Sequence, residues 1–193
     1  FQAEHHEFDI IIYATGFDAV TGAFDKIDIV GEAGQKLRDK WIDGPLTVYG
    51  LAVNGFPNML TLAGPQSGSV ATNFPRGIEE AVDWCSGVLD YLFNNQIDYF
   101  NARQAAENSW SEHVHEMSER ILFGKEQSWF TGYNSNVDRQ YRQQCLIYAG
   151  GQIRFRQFLK EESAQSYPSF EMRQSGGRPR PHGSVVPRDA ANR

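Results

Sequence analysis

Phe8-Asp9-Ile10-Ile11-Ile12-Tyr13 is a compact apolar run, rich in β-branched residues, that stops at Ala14-Thr15-Gly16. An uninterrupted run of this kind, closed by small residues, reads as a parallel strand buried on both faces. The turn behind it has a chemical use. Side-chain-poor positions after a buried strand let backbone N–H groups approach a dinucleotide's phosphate or ribityl chain with no Cβ in the way. The same three residues also suit an ordinary strand-to-loop corner, so the turn alone leaves both readings open.

Outward from this stretch, residues 22–44 hold four glycines, the alternating Ile27-Asp28-Ile29-Val30 and the amphipathic Leu37-Arg38-Asp39-Lys40-Trp41. They predict a small hairpin and a short helix. Leu46–Leu51 and Met59–Ala63 read as two further strands, with the turn Asn54-Gly55-Phe56-Pro57-Asn58 between them. From Gly77 the period changes. Ile78, Val82, Cys85, Leu89 and Leu92 recur at spacings of three and four, which predicts a long helix with those residues on its apolar stripe. After the break Asn94-Asn95-Gln96, a second long helix places Ala102, Ala106, Trp110, Met117 and Ile121 on one face and ends at Gly124. Gly150-Gly151 precedes another helical stretch, Ile153 to about Ser163, whose Phe155, Phe158 and Leu159 are placed to pack. The class is α/β, short strands followed by two long helices. Residues 1–173 form the folded part, divided into strands and turn (1–64), a loop and helices (65–125) and a C-terminal segment (126–173). Residues 174–193, rich in Gly, Pro, Arg and Ser, are expected to be a disordered tail.

The chain's 193 residues, 40% hydrophobic and 22% charged, suffice for one sizeable core. A net charge of −6 has the wrong sign for a partner that is a phosphate backbone, so no nucleic acid is expected. No apolar run approaches the ~20 residues that cross a bilayer, so no membrane span is expected. The two cysteines, Cys85 and Cys145, are too few for a disulfide framework, and a cytoplasmic protein is expected. Phe1 in place of Met, and an acidic rather than basic start, suggest a sequence cut from something longer.

Most other chemistry-bearing residues read as structure. His113 and His115 point about 200° apart on a helix, and neither they nor His5-His6 have a cysteine or carboxylate cluster beside them, so no metal site is expected. Glu79, Asp83 and Asp90 lie opposite the apolar stripe as a solvated face. Ser67 and Ser69 lack the elbow of a serine hydrolase. Trp84 and Trp110 read as core, and Cys85 as a buried, inert thiol. Trp129 stands apart, in a polar, glycine-containing loop between helices.

Together with the segments downstream of it, Glu7 to Asp18 resembles the flavin-dependent Baeyer–Villiger monooxygenases of the cyclic-ketone and phenylacetone type. The resemblance continues through Ala19–Phe24, Lys40-Trp41, Gly44-Pro45, Tyr49-Gly50 and Gly55–Met59. Beyond these, Gly64-Pro65-Gln66-Ser67-Gly68-Ser69 through Asn73 and Ile78-Glu79 is similar to that family's loop beside the flavin. Gln127-Ser128-Trp129, Gly132-Tyr133-Asn134, Tyr148–Gly151 and Tyr167–Glu171 match its C-terminal motifs, so the likeness runs to about Met172. It implies the C-terminal part of a flavoprotein with two dinucleotide-binding domains, using FAD and NADPH. In such an enzyme a peroxyflavin formed with molecular oxygen attacks a ketone, which becomes an ester or lactone. It implies that Ala14, Thr15 and Gly16 lie along FAD and that Gly64 and Pro65 open the loop to the flavin ring. Ser69, Val70, Ala71, Thr72, Asn73 and Phe74 would line the substrate side, and Trp129 would fold over the nicotinamide cofactor.

The sequence departs from the family in three places. Tyr133–Asp138 replaces a Pro-Gly-Lys-like run, neither a G-x-G-x-x-G nor an F-x-G-x-x-x-H-x-x-x-W fingerprint is present, and the family's catalytic arginine is expected upstream of this chain. The 193 residues taken alone are therefore expected to be inactive. Two rivals remain: an N- or S-oxygenating flavin monooxygenase, and a non-catalytic α/β remnant that binds a partner protein. Flavin colour and ketone-dependent NADPH oxidation separate them.

Overall fold

The computed structural model describes residues 6–14, 16, 19–68, 73–122, 128–132 and 144–174. Five helices and two strands occur among them: α1 Gly22–Asp25, α2 Leu37–Lys40, α3 Phe74–Asn94, β1 Tyr99–Ala102, α4 Gln104–Ser118, α5 Gln152–Ala164 and β2 Phe170–Arg173. The long helix begins where its sequence provides a start. Asn73 accepts a hydrogen bond from the Arg76 backbone N–H at 3.4 Å, and Pro75 occupies the first turn, where a missing N–H costs nothing.

β1 and β2 form an antiparallel pair with Phe100 opposite Met172 and Ala102 opposite Phe170. Neither was expected as a strand, because four residues are too few to display an alternation. Phe100 and Phe170 stack at 4.2 Å between ring centroids. Around them Trp84, Trp110, Tyr148, Phe155, Leu159 and Tyr167 make the main core, packed by α3, α4 and α5. Trp84 Nε1 donates to Leu159 O at 3.1 Å, so the buried indole also ties α3 to α5. Trp84, Trp110 and Cys85 are core residues, as their spacing indicated.

A smaller core gathers Leu37, Trp41, Val53 and Phe56. Beside it, the fully buried Glu107 of α4 meets Lys40 at the end of α2 at 2.9 Å and accepts the Asn54 N–H at 2.8 Å. Lys40 Nζ also donates to Asn54 O at 2.8 Å. One carboxylate thus fastens α2, the turn after Val53 and α4. Burial pushes the Glu107 carboxyl above its ordinary range, against the lowering pull of Lys40.

Three sequence expectations need correction. Phe8–Tyr13 is not a buried strand: it is irregular, bends at Asp9, pairs with no strand among the described residues, and is exposed, with Ile12 at 84%. A parallel strand is buried by neighbours on both sides, and none of the described residues flank this one. Leu46–Leu51 is a tight turn instead of a strand. Tyr49 and Gly50 both take positive φ, and Val48 N donates to Ala52 O at 2.8 Å, folding the chain back within five residues. Met59–Ala63 is likewise irregular, tied back by Thr61 N to Leu51 O at 2.9 Å.

The stripe on α3 is also rotated from its expected position. Gly77, Ala81, Trp84, Cys85 and Val88 face inward, while Val82 and Leu89 are exposed. The helix is apolar over more than half its circumference, and the small Gly77 and Ala81 allow the closer approach to the core. In α4 the inward row is Glu107, Trp110, Val114 and Met117. Ala102 lies in β1 rather than in this helix, and Gly124 is outside the described residues. The expected hairpin and short helix before Trp41 are present, as the Val30–Lys36 bridge and α2. The helix after Gly151 is α5.

Candidate functional site: a loop bolted between three segments

Gly64-Pro65-Gln66-Ser67-Gly68 is buried along its whole length, and its backbone is held from three sides. Gln66 N donates to Leu146 O at 2.7 Å, and Tyr148 N donates to Ser67 O at 3.2 Å, so the loop runs beside residues 144–148. Thr47 Oγ1 lies 3.1 Å from Pro65 O on a second side. From α4, Trp110 Nε1 donates to Gln66 O at 3.2 Å. Gly64 is glycine for a packing reason. A Cβ there would meet Gly50 O at 2.5 Å and Thr61 Oγ1 at 2.6 Å.

The Gln66 side chain completes the attachment. Its Oε1 accepts from Thr47 N at 3.1 Å and from Ser111 Oγ at 3.0 Å, and lies 3.0 Å from Thr47 Oγ1. The Thr47 backbone N–H can only donate, which fixes oxygen rather than nitrogen at that position. Gln66 holds this network while its own backbone takes φ +67°, a left-handed conformation that a non-glycine residue adopts at a cost.

Leu146 is the hinge point of the arrangement. Its carbonyl receives Gln66 N, and its N–H donates to Phe130 O at 2.8 Å. Phe130 belongs to a short 3-10 turn, Trp129–Thr131, closed by reciprocal hydrogen bonds between Ser128 and Thr131. Trp129 stands on this turn, 55% exposed, with its indole stacked on Phe130 at 5.4 Å. The loop at Gly64-Pro65 and the turn at Trp129, which the sequence singled out separately, are therefore one hydrogen-bonded unit with Leu146 between them.

Other predicted positions lie elsewhere. Ala14 and Gly16 are exposed, and Gly16 takes φ +81° with nothing within 4 Å of the place a Cβ would occupy. Among the described residues they share no hydrogen bond with Gly64, Pro65 or Trp129. Asn73 caps α3, and Phe74 opens it, 46% exposed. Thr15, Ser69, Val70, Ala71 and Thr72 lie outside the described residues, as does 175–193 of the expected tail. Gln174, the tail's first residue, donates to Asn95 O at 2.7 Å. An open cleft of about 670 Å³ runs along α5, lined by Gly150–Arg154, Gln157, Phe158 and Glu161, and none of the predicted positions line it.

These features bear on whether FAD and a nicotinamide cofactor suit the residues present. The bare backbone at Gly16 is open to a polar chain. Ser67 Oγ, within the loop expected at the flavin, is buried without a partner among the described residues. Trp129 offers a flat apolar face and an N–H on a rigid turn. All three fit such groups. Among the described residues, no three of His, Cys, Asp and Glu are grouped to hold a metal, and no helix is long and apolar enough to cross a membrane. Glu79, Asp83 and Asp90 are exposed on α3, the solvated face expected of them.

Sequence reading missed Gln66, Glu107 and Leu146. A signal existed for Glu107, which shares the three-and-four spacing of Trp110, Val114 and Met117. Gln66 and Leu146 act through backbone groups and a single amide, which leave no periodic trace.

Solved structures of oxygenases in complex with FAD and NADP superpose on the chain that carries this loop and turn. The structure of OTEMO in complex with FAD and NADP superposes with a TM-score of 0.77 at 35% identity, over 89% of this chain and 31% of that one. Cyclohexanone monooxygenase from Rhodococcus sp. Phi1, bound to NADP+, superposes with a TM-score of 0.80 at 33% identity, over 88% and 31%. In sequence, the 2-oxo-Δ3-4,5,5-trimethylcyclopentenylacetyl-CoA monooxygenase of Pseudomonas putida is 35% identical over 167 residues, 86% of this chain and 31% of the relative. No family model matches the chain. By sequence and fold together, the chain belongs with the Baeyer–Villiger monooxygenases, and it spans about three tenths of the length of the relatives it matches.

Proposed function

We propose that this sequence forms the C-terminal part, residues 1–173, of an FAD- and NADPH-dependent monooxygenase that inserts one oxygen atom from O2 into a ketone, giving an ester or lactone. The observation that carries this reading is the Gln66–Leu146–Phe130 connection, which sets the flavin-side loop and the tryptophan turn at a fixed separation. The Rhodococcus relative, whose name specifies cyclohexanone, supports a ketone substrate.

When bound, the flavin, reduced by the nicotinamide, supplies oxygen activation and transfer to the carbonyl substrate. This chain's residues bind and orient. Ala14, Thr15 and Gly16 offer backbone to the FAD, and Gly64 and Pro65 deliver the loop to the ring. Ser69, Val70, Ala71, Thr72, Asn73 and Phe74 would line the substrate side, as the resemblance implies. Trp129 would hold the nicotinamide cofactor with its indole face and N–H. A cytoplasmic setting, without nucleic-acid partners, belongs to the same reading and is supported by the net charge of −6 and two free, buried cysteines.

Purifying the complete gene product that contains this sequence tests the proposal. The expected result is a yellow protein that oxidises NADPH when a cyclic or aryl ketone is added and releases the ester, measured by gas chromatography. A folded, colourless product that leaves NADPH untouched overturns it. An amine N-oxide or sulfoxide in place of ester assigns it instead to the N- or S-oxygenating class.

A further inference from the structure

The geometry points to Gln66 as a positioning residue for oxygen transfer, one that touches no substrate but sets the flavin-side loop against the tryptophan turn. The inference rests on the function proposed above. Gln66 is 2% exposed, so its side chain is spent on the protein interior. Its Oε1 anchors it to Thr47 and to Ser111 of α4, while its N–H and carbonyl reach Leu146 and Trp110. These partners come from three separate parts of the chain, and Leu146 passes the placement on to Phe130 beside Trp129.

A mere filler of the core would not need this chemistry. An apolar side chain of equal length would fill the same space without giving Thr47 N and Ser111 Oγ a shared acceptor. It would also leave the left-handed backbone at φ +67° held by its main-chain bonds alone. With the amide in place, the loop has one position relative to α4. Without it, the Thr47 N–H and Ser111 hydroxyl lose their acceptor, and the loop is free to settle at a different distance from Leu146.

Two variants test this, Gln66→Met, which keeps the volume and removes the acceptor, and Gln66→Glu, which keeps the acceptor. Ser111→Ala, on the half-buried side of α4, serves as a third and milder change. In the complete gene product, hydrogen exchange at the Thr47 and Gln66 amides should speed up about tenfold in Gln66→Met and return toward the parent rate in Gln66→Glu, as expected for the loss of one buried hydrogen bond. In the complete gene product, Gln66→Met should shift the flavin absorption bands and lower kcat about tenfold. KM for NADPH should stay within about twofold, the signature of a loss confined to the transition state. Ser111→Ala should move both readouts in the same direction by a smaller factor.

Unchanged exchange in folded Gln66→Met overturns the inference outright. Accelerated exchange with an unaltered flavin spectrum and kcat reduces Gln66 to a structural role and overturns it as well. A parent protein without flavin or ketone oxidation defeats the functional reading and this inference with it, whereas an active parent with an unaffected Gln66→Met defeats the inference alone.

Discussion

Phe8–Tyr13 and Thr47–Ala52 are both six-residue stretches with an apolar bias, and they meet opposite fates. The first is mostly large apolar side chains and leaves them in solvent; the second has Val48, Tyr49 and Leu51 and buries every residue. The difference lies in what each is attached to. Thr47–Ala52 is pinned by its own left-handed corner, by Thr61 and by the amide of Gln66, and Tyr49 OH donates to the buried Glu162 at 2.9 Å. Phe8–Tyr13 has no comparable anchor among the described residues. Apolar content supplies a tendency to be buried, and specific polar attachments decide where that tendency is satisfied.

The contrast can be broken most strongly at Trp110, whose ring meets Tyr49, Tyr148, Phe155 and Phe158 while its N–H holds Gln66 O. Trp110→Ala should cost about 4 kcal/mol in urea-unfolding free energy, from lost burial, a cavity and an orphaned carbonyl. Lys40→Met is next, at about 3 kcal/mol near neutral pH, because it leaves the Glu107 carboxylate buried without its cation. Its pH dependence follows from the raised folded-state carboxyl. The folded chain binds that proton more readily than the unfolded one, so this stabilisation is present below the ordinary value of 4.5 and is lost as pH rises above it. The deficit of Lys40→Met should therefore narrow when the unfolding curves are repeated toward pH 4.5.

Thiol chemistry sharpens the same comparison. Burial pushes Cys85 up to about 11 and raises Cys145 as well, so at pH 8 Cys85 has about a hundredfold less thiolate than an ordinary cysteine. Iodoacetamide should leave both unlabelled in the native chain while rapidly modifying a cysteine introduced by Ile11→Cys; mass spectrometry of the peptides reads the result. The smallest effect is expected for Ile11→Ser, which should move the urea midpoint by the equivalent of less than about 0.5 kcal/mol, because its side chain is exposed already. A larger loss would show that the segment is attached after all.

The parts legible in the sequence were those with a period or a special residue. α3, α4 and α5 declared themselves by apolar spacing, although the expected start of the first at Gly77 lies inside the helix that Asn73 caps. What stayed hidden depends on contacts distant in sequence. Trp84 and Val88, not Val82 and Leu89, face inward because Phe170 and Tyr167 arrive from the far end of the chain to receive them. The site was half legible. Gly64-Pro65 and Trp129 were singled out as candidates through their resemblance to a family, but the amide and backbone groups that join them carry no sequence signature.

The pairing of β1 with β2 joins residues 99–102 to residues 170–173. Closing so wide a loop requires everything between to be synthesised first, so the Phe100–Phe170 stack is unavailable while the nascent chain is still on the ribosome short of β2. Until then Trp84 and Phe100 lack their cover, and the growing polypeptide presents sticky aromatic surface of the kind that recruits chaperones. A premature stop a few codons before Phe170 would leave that surface permanently bare and favour aggregation over a shortened native form.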